Sequence, residues 1–120
     1  MELAVQVVQV IVALGIFNVW LLRFNKGTEW RGGDAVTMKE EFDVYGLPVG
    51  SVYVIGALKL LCAAGLIVGI WLPQFVRPAA VGLAVLMLGA VSMHIKISDP
   101  VKKSLPAFTM LVLSVLIAVF

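Results

Sequence analysis

Four long apolar runs divide this chain of 120 residues and limit what it can fold into. They span residues 3–22, 50–72, 79–95 and 105–120. A helix needs about 17–25 mostly apolar residues to cross roughly 30 Å of hydrocarbon, so the first two runs are comfortable, the third adequate and the fourth short. Because 62% of the residues are hydrophobic and only 13% are charged, the sequence predicts an integral membrane protein.

The connections between the runs predict the topology. Short loops force neighbouring spans to run antiparallel, which gives a single all-α domain over residues 1–120, an up-down four-transmembrane-helix bundle. Nothing in residues 1–22 resembles the charged start or the cleavage site of a signal peptide, so this run is expected to stay as the first span. Loops one and three carry most of the basic residues, and the positive-inside rule places them in the cytoplasm, with the protein multi-pass in the cell membrane.

The first loop is long enough to fold by itself. Thr37 and Glu40 have the spacing of a capping box, in which each side chain accepts a hydrogen bond from a free backbone N–H at a helix start. The pattern predicts a short helix over residues 38–45, which Gly46 and Pro48 end.

This loop helix is predicted to be amphipathic. Met38, Phe42 and Tyr45 fall on one stripe, and Glu41 lies on its flank. We therefore expect the helix to lie on the bundle with Glu41 turned towards protein and the other charged side chains in water: Lys39, Glu40 and Asp43.

Lys59 is the most unusual residue of the chain, because it lies near the middle of the second run. The nearest charged residues along the chain are Asp43 and Arg77. At about 1.5 Å per residue from Pro48, Lys59 lies roughly 16 Å into the membrane, and such a charge is costly unless it faces the bundle interior. Its flanks are small: Gly56, Cys62 and Ala63. Two interpretations stay open, a structural lysine paired with Glu41 and a lysine that serves a ligand or a proton.

Other polar and aromatic residues have positions that suggest their roles. His94 prolongs an inward stripe of the third run, as an interfacial hydrogen-bonding group or a proton carrier. In the third loop, Asp99 and Pro100 have the order of an N-cap followed by proline at the first helical position. Aromatic residues near the run ends are expected in an interfacial belt: Trp20, Trp30, Tyr45 and Trp71.

Several classes of site are not supported by the sequence. A single cysteine, Cys62, excludes an internal disulfide, and no His, Cys or carboxylate spacing predicts a metal site. We find no nucleophile triad and no basic stripe for nucleic acid. The remaining polar residues predict a pocket that opens sideways or towards the cytoplasm, with Lys59 at its deep end and these residues near the first loop: Arg23, Arg31, Glu41, His94 and Asp99.

Three motifs carry a family resemblance: E-F-x-x-Y-G-L-P from residue 41, G-x-x-K from residue 56 and H-x-x-x-x-D-P from residue 94. With the surrounding runs, they resemble the DoxX-like family of small four-helix membrane proteins. The wider group includes a subunit of an archaeal thiosulfate:quinone oxidoreductase, proteins of oxidative-stress complexes, and animal membrane proteins that assist assembly or export. The resemblance implies these motif positions: Glu41, Phe42, Tyr45, Gly46, Pro48, Gly56, Lys59, His94, Asp99 and Pro100.

Three functions are open from the sequence. In the first, the pocket binds a quinone-like or other amphipathic molecule, and the chain is a subunit of an oxidoreductase complex. Lys59 would donate a hydrogen bond or proton to the ligand, Glu41 would hold its charge, and His94 would relay protons. A quinone is the cofactor that this hypothesis implies, and a membrane or redox partner protein would supply the electrons.

The other two hypotheses need no cofactor. An accessory or assembly protein would use a structural pair of Lys59 and Glu41 to lock the loop to the bundle. A small multidrug-type transporter would form a homo-oligomer, and it is disfavoured because every acidic residue lies outside the runs. In all three the lipid bilayer surrounds the chain, and the sequence does not decide whether the chain is an enzyme.

Overall fold

The computed structural model describes residues 3–27 and 30–120, and every regular element in that part of the chain is helical. Four of its helices are long and apolar enough to cross a membrane, which confirms the predicted all-α, four-helix architecture. A π-helical stretch, Asn18–Leu22, continues the first helix, and a 3₁₀ turn, Pro73–Phe75, precedes the fourth. The α-helices are α1 (Leu3–Phe17), α2 (Met38–Val44), α3 (Val49–Val68), α4 (Val76–Lys96) and α5 (Val101–Val119).

The four spans pack as a ring around a shared apolar core. α1 contacts α3 and α5, and α4 contacts the same two helices, while the short helix α2 packs against α3. The molecule measures 41 Å along its longest axis, which exceeds the roughly 30 Å of a hydrocarbon layer. The fully buried core side chains include Val12, Val52, Leu66, Ala80 and Leu83.

The helix ends differ from the predicted spans by a few residues. α3 ends at Val68, before the predicted residue 72. α4 begins at Val76 instead of residue 79, because Pro78 then falls in the first turn, where no backbone N–H is needed. α5 begins at Val101 instead of residue 105 and contains Pro106 in its interior.

The loop helix α2 begins at the predicted residue, Met38, and ends one residue before the predicted end, at Val44. Thr37 Oγ1 accepts a hydrogen bond from the Glu40 N–H at 3.2 Å, as a capping box requires. The Glu40 carboxylate, however, accepts from the Val36 N–H at 2.8 Å, so the return bond goes to the residue before the N-cap. Gly46 has φ +78°, in the left-handed region that favours glycine, and ends the helix.

The two faces of α2 are also as predicted. Met38, Phe42 and Tyr45 are buried, and the Glu41 side chain is turned inward with only 12% of its surface exposed. α2 therefore covers the end of the bundle at which loops one and three meet. The charged residues on its outer face are exposed: Lys39, Glu40 and Asp43.

Asp99 does not cap α5, so that prediction is wrong. Pro100 occupies the capping position, and the Asp99 carboxylate is directed into the protein. Asp99 Oδ1 accepts the backbone N–H of Gly33 at 3.0 Å, and Oδ2 lies 2.7 Å from His94 Nδ1. These two buried polar groups need an acceptor, and the Asp99 carboxylate supplies it for both.

Candidate functional site

A cavity of about 670 Å³ lies between the helices at the end of the bundle covered by α2. Its side walls come mainly from α1, α4 and α5, while α3 contributes Ile55 and Lys59 and α2 closes the top. This volume falls within the range of roughly 300–1,000 Å³ found for small-molecule pockets. The walls are mostly apolar and include Ile16, Met87, Ala90, Met93 and Met110.

Lys59 lines the deep end of the cavity. Only 8% of its surface is exposed, and its Nζ lies 5.4 Å from the centroid of the Trp20 ring. Within the part of the chain that the structure describes, Lys59 forms neither a hydrogen bond nor an ion pair. The aromatic face attracts the ammonium but leaves its three N–H donors available.

Trp20 is a site residue that sequence reasoning missed, because it was assigned to the interfacial belt. The side chain is buried at 6% exposure and lies on the same face of the first span as Ala13 and Ile16. Gly56 makes this contact possible, because a Cβ atom there would lie 2.7 Å from the Trp20 ring. Tyr45 is buried as well, so the belt prediction is wrong for both residues, whereas Trp30 and Trp71 are exposed.

Arg31 is the partner of Glu41. Arg31 Nη1 lies 3.1 Å from Glu41 Oε2, and both side chains are largely buried. The guanidinium also donates to the backbone carbonyls of Arg23 and Lys26. The ion pair of Lys59 and Glu41 that one hypothesis required is absent from the described part of the chain. The Glu41 oxygens instead accept from Arg31 and from Tyr45, although the carboxylate still acts electrostatically on Lys59.

A chain of hydrogen-bonding groups continues from Glu41 to Asp99. The Tyr45 hydroxyl donates to Glu41 Oε1 at 2.6 Å and lies 3.4 Å from His94 Nε2. His94 Nδ1 faces the Asp99 carboxylate, which can only accept, so this nitrogen carries a proton. Burial, followed by the negative charge of Glu41, raises the pKa of the Tyr45 phenol far above its ordinary value.

Three backbone contacts tie the first loop to the third and fix the site. The Asp99 contact to Gly33 is the first, and Lys103 Nζ donates to the Gly33 carbonyl. Lys96 Nζ donates to the Tyr45 carbonyl at 2.8 Å. Gly33 has φ +53°, in the left-handed region that favours glycine. The sequence carries no spacing signal for Lys96 or Lys103, because their acceptors are carbonyls of a distant loop.

The structure brings five of the six residues of the predicted pocket together at this end of the bundle, and Tyr45, a family-motif position that is also a candidate ligand or relay residue, lies among them. Arg23 is the exception, because its side chain is exposed and its carbonyl, not its guanidinium, bonds Arg31. Pro48 and Pro100 directly precede α3 and α5. Among the described residues, no group of three or more histidine, cysteine or acidic side chains could hold a metal ion. The exposed Arg23 lies at the rim of the cavity, and five of the candidate side chains line the cavity itself: Arg31, Glu41, Tyr45, Lys59 and His94.

Known proteins resemble this chain at the level of a family model. Neither the curated proteins nor the solved structures contain a match to the chain. A family model described as the DoxX-like family matches residues 30–118, which include α2, the cavity-lining parts of α3, α4 and α5, and every polar side chain of the site except Arg23. The chain therefore belongs to the DoxX-like family.

Proposed function

We propose that the chain binds an amphipathic small molecule, such as a quinone, in the cavity beside Lys59. One observation carries this proposal: a buried ammonium with available N–H donors reaches an apolar cavity of small-molecule size. A charged side chain inside a membrane domain is expensive and is commonly functional. Lys59 would donate a hydrogen bond to an oxygen of the ligand head, while the apolar walls hold the rest of the molecule.

The position of the opening supports a ligand that dissolves in lipid. Val19 and Val85 both line the cavity, and both are exposed on the outside of the bundle. Each lies inside a candidate membrane span, where the surrounding solvent is hydrocarbon. A molecule with an apolar body would therefore enter sideways from the bilayer, and a strictly water-soluble molecule would not.

The hydrogen-bonded groups above Lys59 support a role in proton exchange. Glu41, Tyr45 and His94 line the cavity and are joined to one another, and His94 is joined in turn to Asp99. Such a chain can pass a proton between a bound oxygen and the loop side of the bundle. In this proposal the protein is a subunit of an oxidoreductase complex, a partner redox protein supplies the electrons, and the chain supplies the binding site.

The proposal is tested by ligand-induced stabilisation of the purified protein in lipid nanodiscs. A benzoquinone with a decyl tail, at about a hundredfold excess over its Kd, should stabilise the wild type by about 2.7 kcal/mol and raise its Tm. Lys59→Met should lose this shift, because the hydrogen-bond donor is gone. Lys26→Met is the matched control, since Lys26 is an exposed loop lysine that does not line the cavity.

A second pair of variants tests the cavity itself. A Cβ atom at Gly89 or at Gly50 meets nothing within 4 Å, but only Gly89 lines the cavity. Gly89→Leu should therefore occupy the ligand volume and abolish the shift, whereas Gly50→Leu should leave it intact. If the quinone stabilises Gly89→Leu and Lys59→Met as strongly as the wild type, the ligand does not bind at this place.

A further inference from the structure

The charges around the cavity are unbalanced, and this imbalance bears on the chemistry of the ligand. Among the described residues, the cavity lining contains one carboxylate, Glu41, and these four basic side chains: Arg23, Arg31, Lys59 and Lys103. Buried charges are tolerated when an opposite charge or a set of hydrogen bonds compensates them. A basic group that has no opposite charge beside it therefore marks a place where a bound negative charge would be stabilised.

Two of the lining charges compensate each other. Arg31 and Glu41 form an ion pair at 3.1 Å, and the remaining donors of Arg31 bond backbone carbonyls. His94, a further lining group, faces the Asp99 carboxylate from the side opposite the cavity. The polar side chains at the top of the cavity are thus hydrogen-bonded to one another, and the lining carboxylate among them is paired with Arg31.

The other three basic residues form no ion pair in the described part of the chain, although the Glu41 carboxylate acts electrostatically on Lys59. Lys103 donates to the Gly33 carbonyl, and the Arg23 side chain is exposed at the rim of the cavity. Lys59 faces the ring of Trp20 and contacts no carboxylate. All three therefore contribute positive potential to one apolar volume, where the low dielectric strengthens their effect on a bound charge.

From this charge distribution we infer that the cavity selects an amphipathic anion, a molecule with an apolar tail and a carboxylate or phosphate head. The inference rests on the proposed function, because it names the class of ligand for the same cavity. Lys59 is the main contact of the head, since it lines the cavity and is the most deeply buried of the three cations. A charged acceptor forms a stronger hydrogen bond with an ammonium than a neutral carbonyl does.

The test compares four probes with the same twelve-carbon tail and different heads: dodecanoate, dodecyl phosphate, dodecanol and dodecyltrimethylammonium. Binding to the wild type in nanodiscs of zwitterionic lipid is measured by calorimetry. We expect at least one anion to bind about tenfold or more tightly than dodecanol, and dodecyltrimethylammonium to bind more weakly than dodecanol. The two anionic probes also show whether the head is a carboxylate or a phosphate.

Two variants assign the preference to the charge of Lys59. Lys59→Gln removes the charge and keeps hydrogen-bond donors, so the ratio of anion affinity to dodecanol affinity should fall from about tenfold towards one. Lys26→Met, the exposed control, should retain the preference. Equal affinities of the wild type for the anions and for dodecanol, or an unchanged preference in Lys59→Gln, would overturn the inference.

Failure of this inference is distinct from failure of the proposed function. If the decyl benzoquinone binds in a Lys59-dependent manner but the anions bind no more tightly than dodecanol, the cavity binds amphipathic molecules without selecting a charge. If neither the quinone nor any of the four probes binds, the cavity is not a ligand site, and both proposals are wrong.

Discussion

The two halves of the bundle use the same four helices in different ways. In the half near the chain termini, small residues bring the helices together: a Cβ atom at Gly65 would lie 3.0 Å from the Cβ of Ala79, and one at Gly82 would lie 3.1 Å from Cys62 Sγ. In the half near loops one and three, Gly89 faces open space and the cavity lies between the helices. The helices are thus close-packed at one end and separated at the other.

The polar groups follow the same division. The termini half buries Gln9, whose Nε2 donates to the Leu66 carbonyl at 3.0 Å, an interhelical contact of modest strength. The loop half buries an ion pair and a chain of hydrogen-bonding side chains. The polar group of the termini half thus helps to hold two helices together, whereas the polar groups of the loop half surround the proposed ligand cavity.

The largest expected effect is that of removing Arg31 from the loop half. Arg31→Met leaves the Glu41 carboxylate buried without its cation, and breaking a buried pair in this way costs about 3–5 kcal/mol. Arg23→Met, the control, should cost less than about 0.5 kcal/mol because that side chain is exposed. The measurement is the free energy of unfolding in detergent.

A double variant separates the ion pair from simple packing. Arg31→Met combined with Glu41→Gln removes both charges, so it should recover part of the loss seen in the single variant. Equal stability of Arg31→Met and Arg23→Met would contradict the view that the loop half depends on this pair.

Much of the fold could be predicted from the sequence, because apolar runs of span length and a capping signal act locally. The inward positions of Lys59 and His94 follow from helical periodicity in the same way. The inward position of Trp20 continues the α-helical stripe of Gln9, Ala13 and Ile16, and it was missed because its place near the end of a run favoured the interfacial belt. The partner of Glu41 was also missed, since Arg31 reaches it from an irregular loop whose path no periodicity describes.

A smaller effect is expected from the pH dependence of Tyr45. The folded protein raises the pKa of this phenol, so the unfolded chain releases the proton first as the pH rises. The stability that the neutral phenol contributes is therefore present below about pH 10 and is lost above it, by about 1.4 kcal/mol for each further pH unit. Thermal melts between about pH 8 and pH 11 measure this loss.

Two conservative variants assign that dependence to one residue. Tyr45→Phe lacks the ionisable group and should show a flatter decline of Tm at high pH. Tyr53→Phe should decline as the wild type does, because Tyr53 is 56% exposed. Identical slopes for Tyr45→Phe and the wild type would mean that the Tyr45 proton is not held by the burial and the Glu41 contact seen in the loop half.

The smallest effect is expected in the termini half. Gln9→Leu removes the bond to the Leu66 carbonyl, worth about 0.6 kcal/mol on average in membrane helices. It also removes Gln9 Oε1, a buried acceptor without a partner in the described part of the chain. Removing an unpaired buried acceptor stabilises the fold, which offsets the stability lost with the hydrogen bond. The net change should stay within about 1 kcal/mol, close to that of Gln6→Leu on the same helix, and the quinone-induced shift should be unchanged. A loss of the shift in Gln9→Leu would show that the two halves are coupled, because packing at the termini would then set the geometry of the cavity.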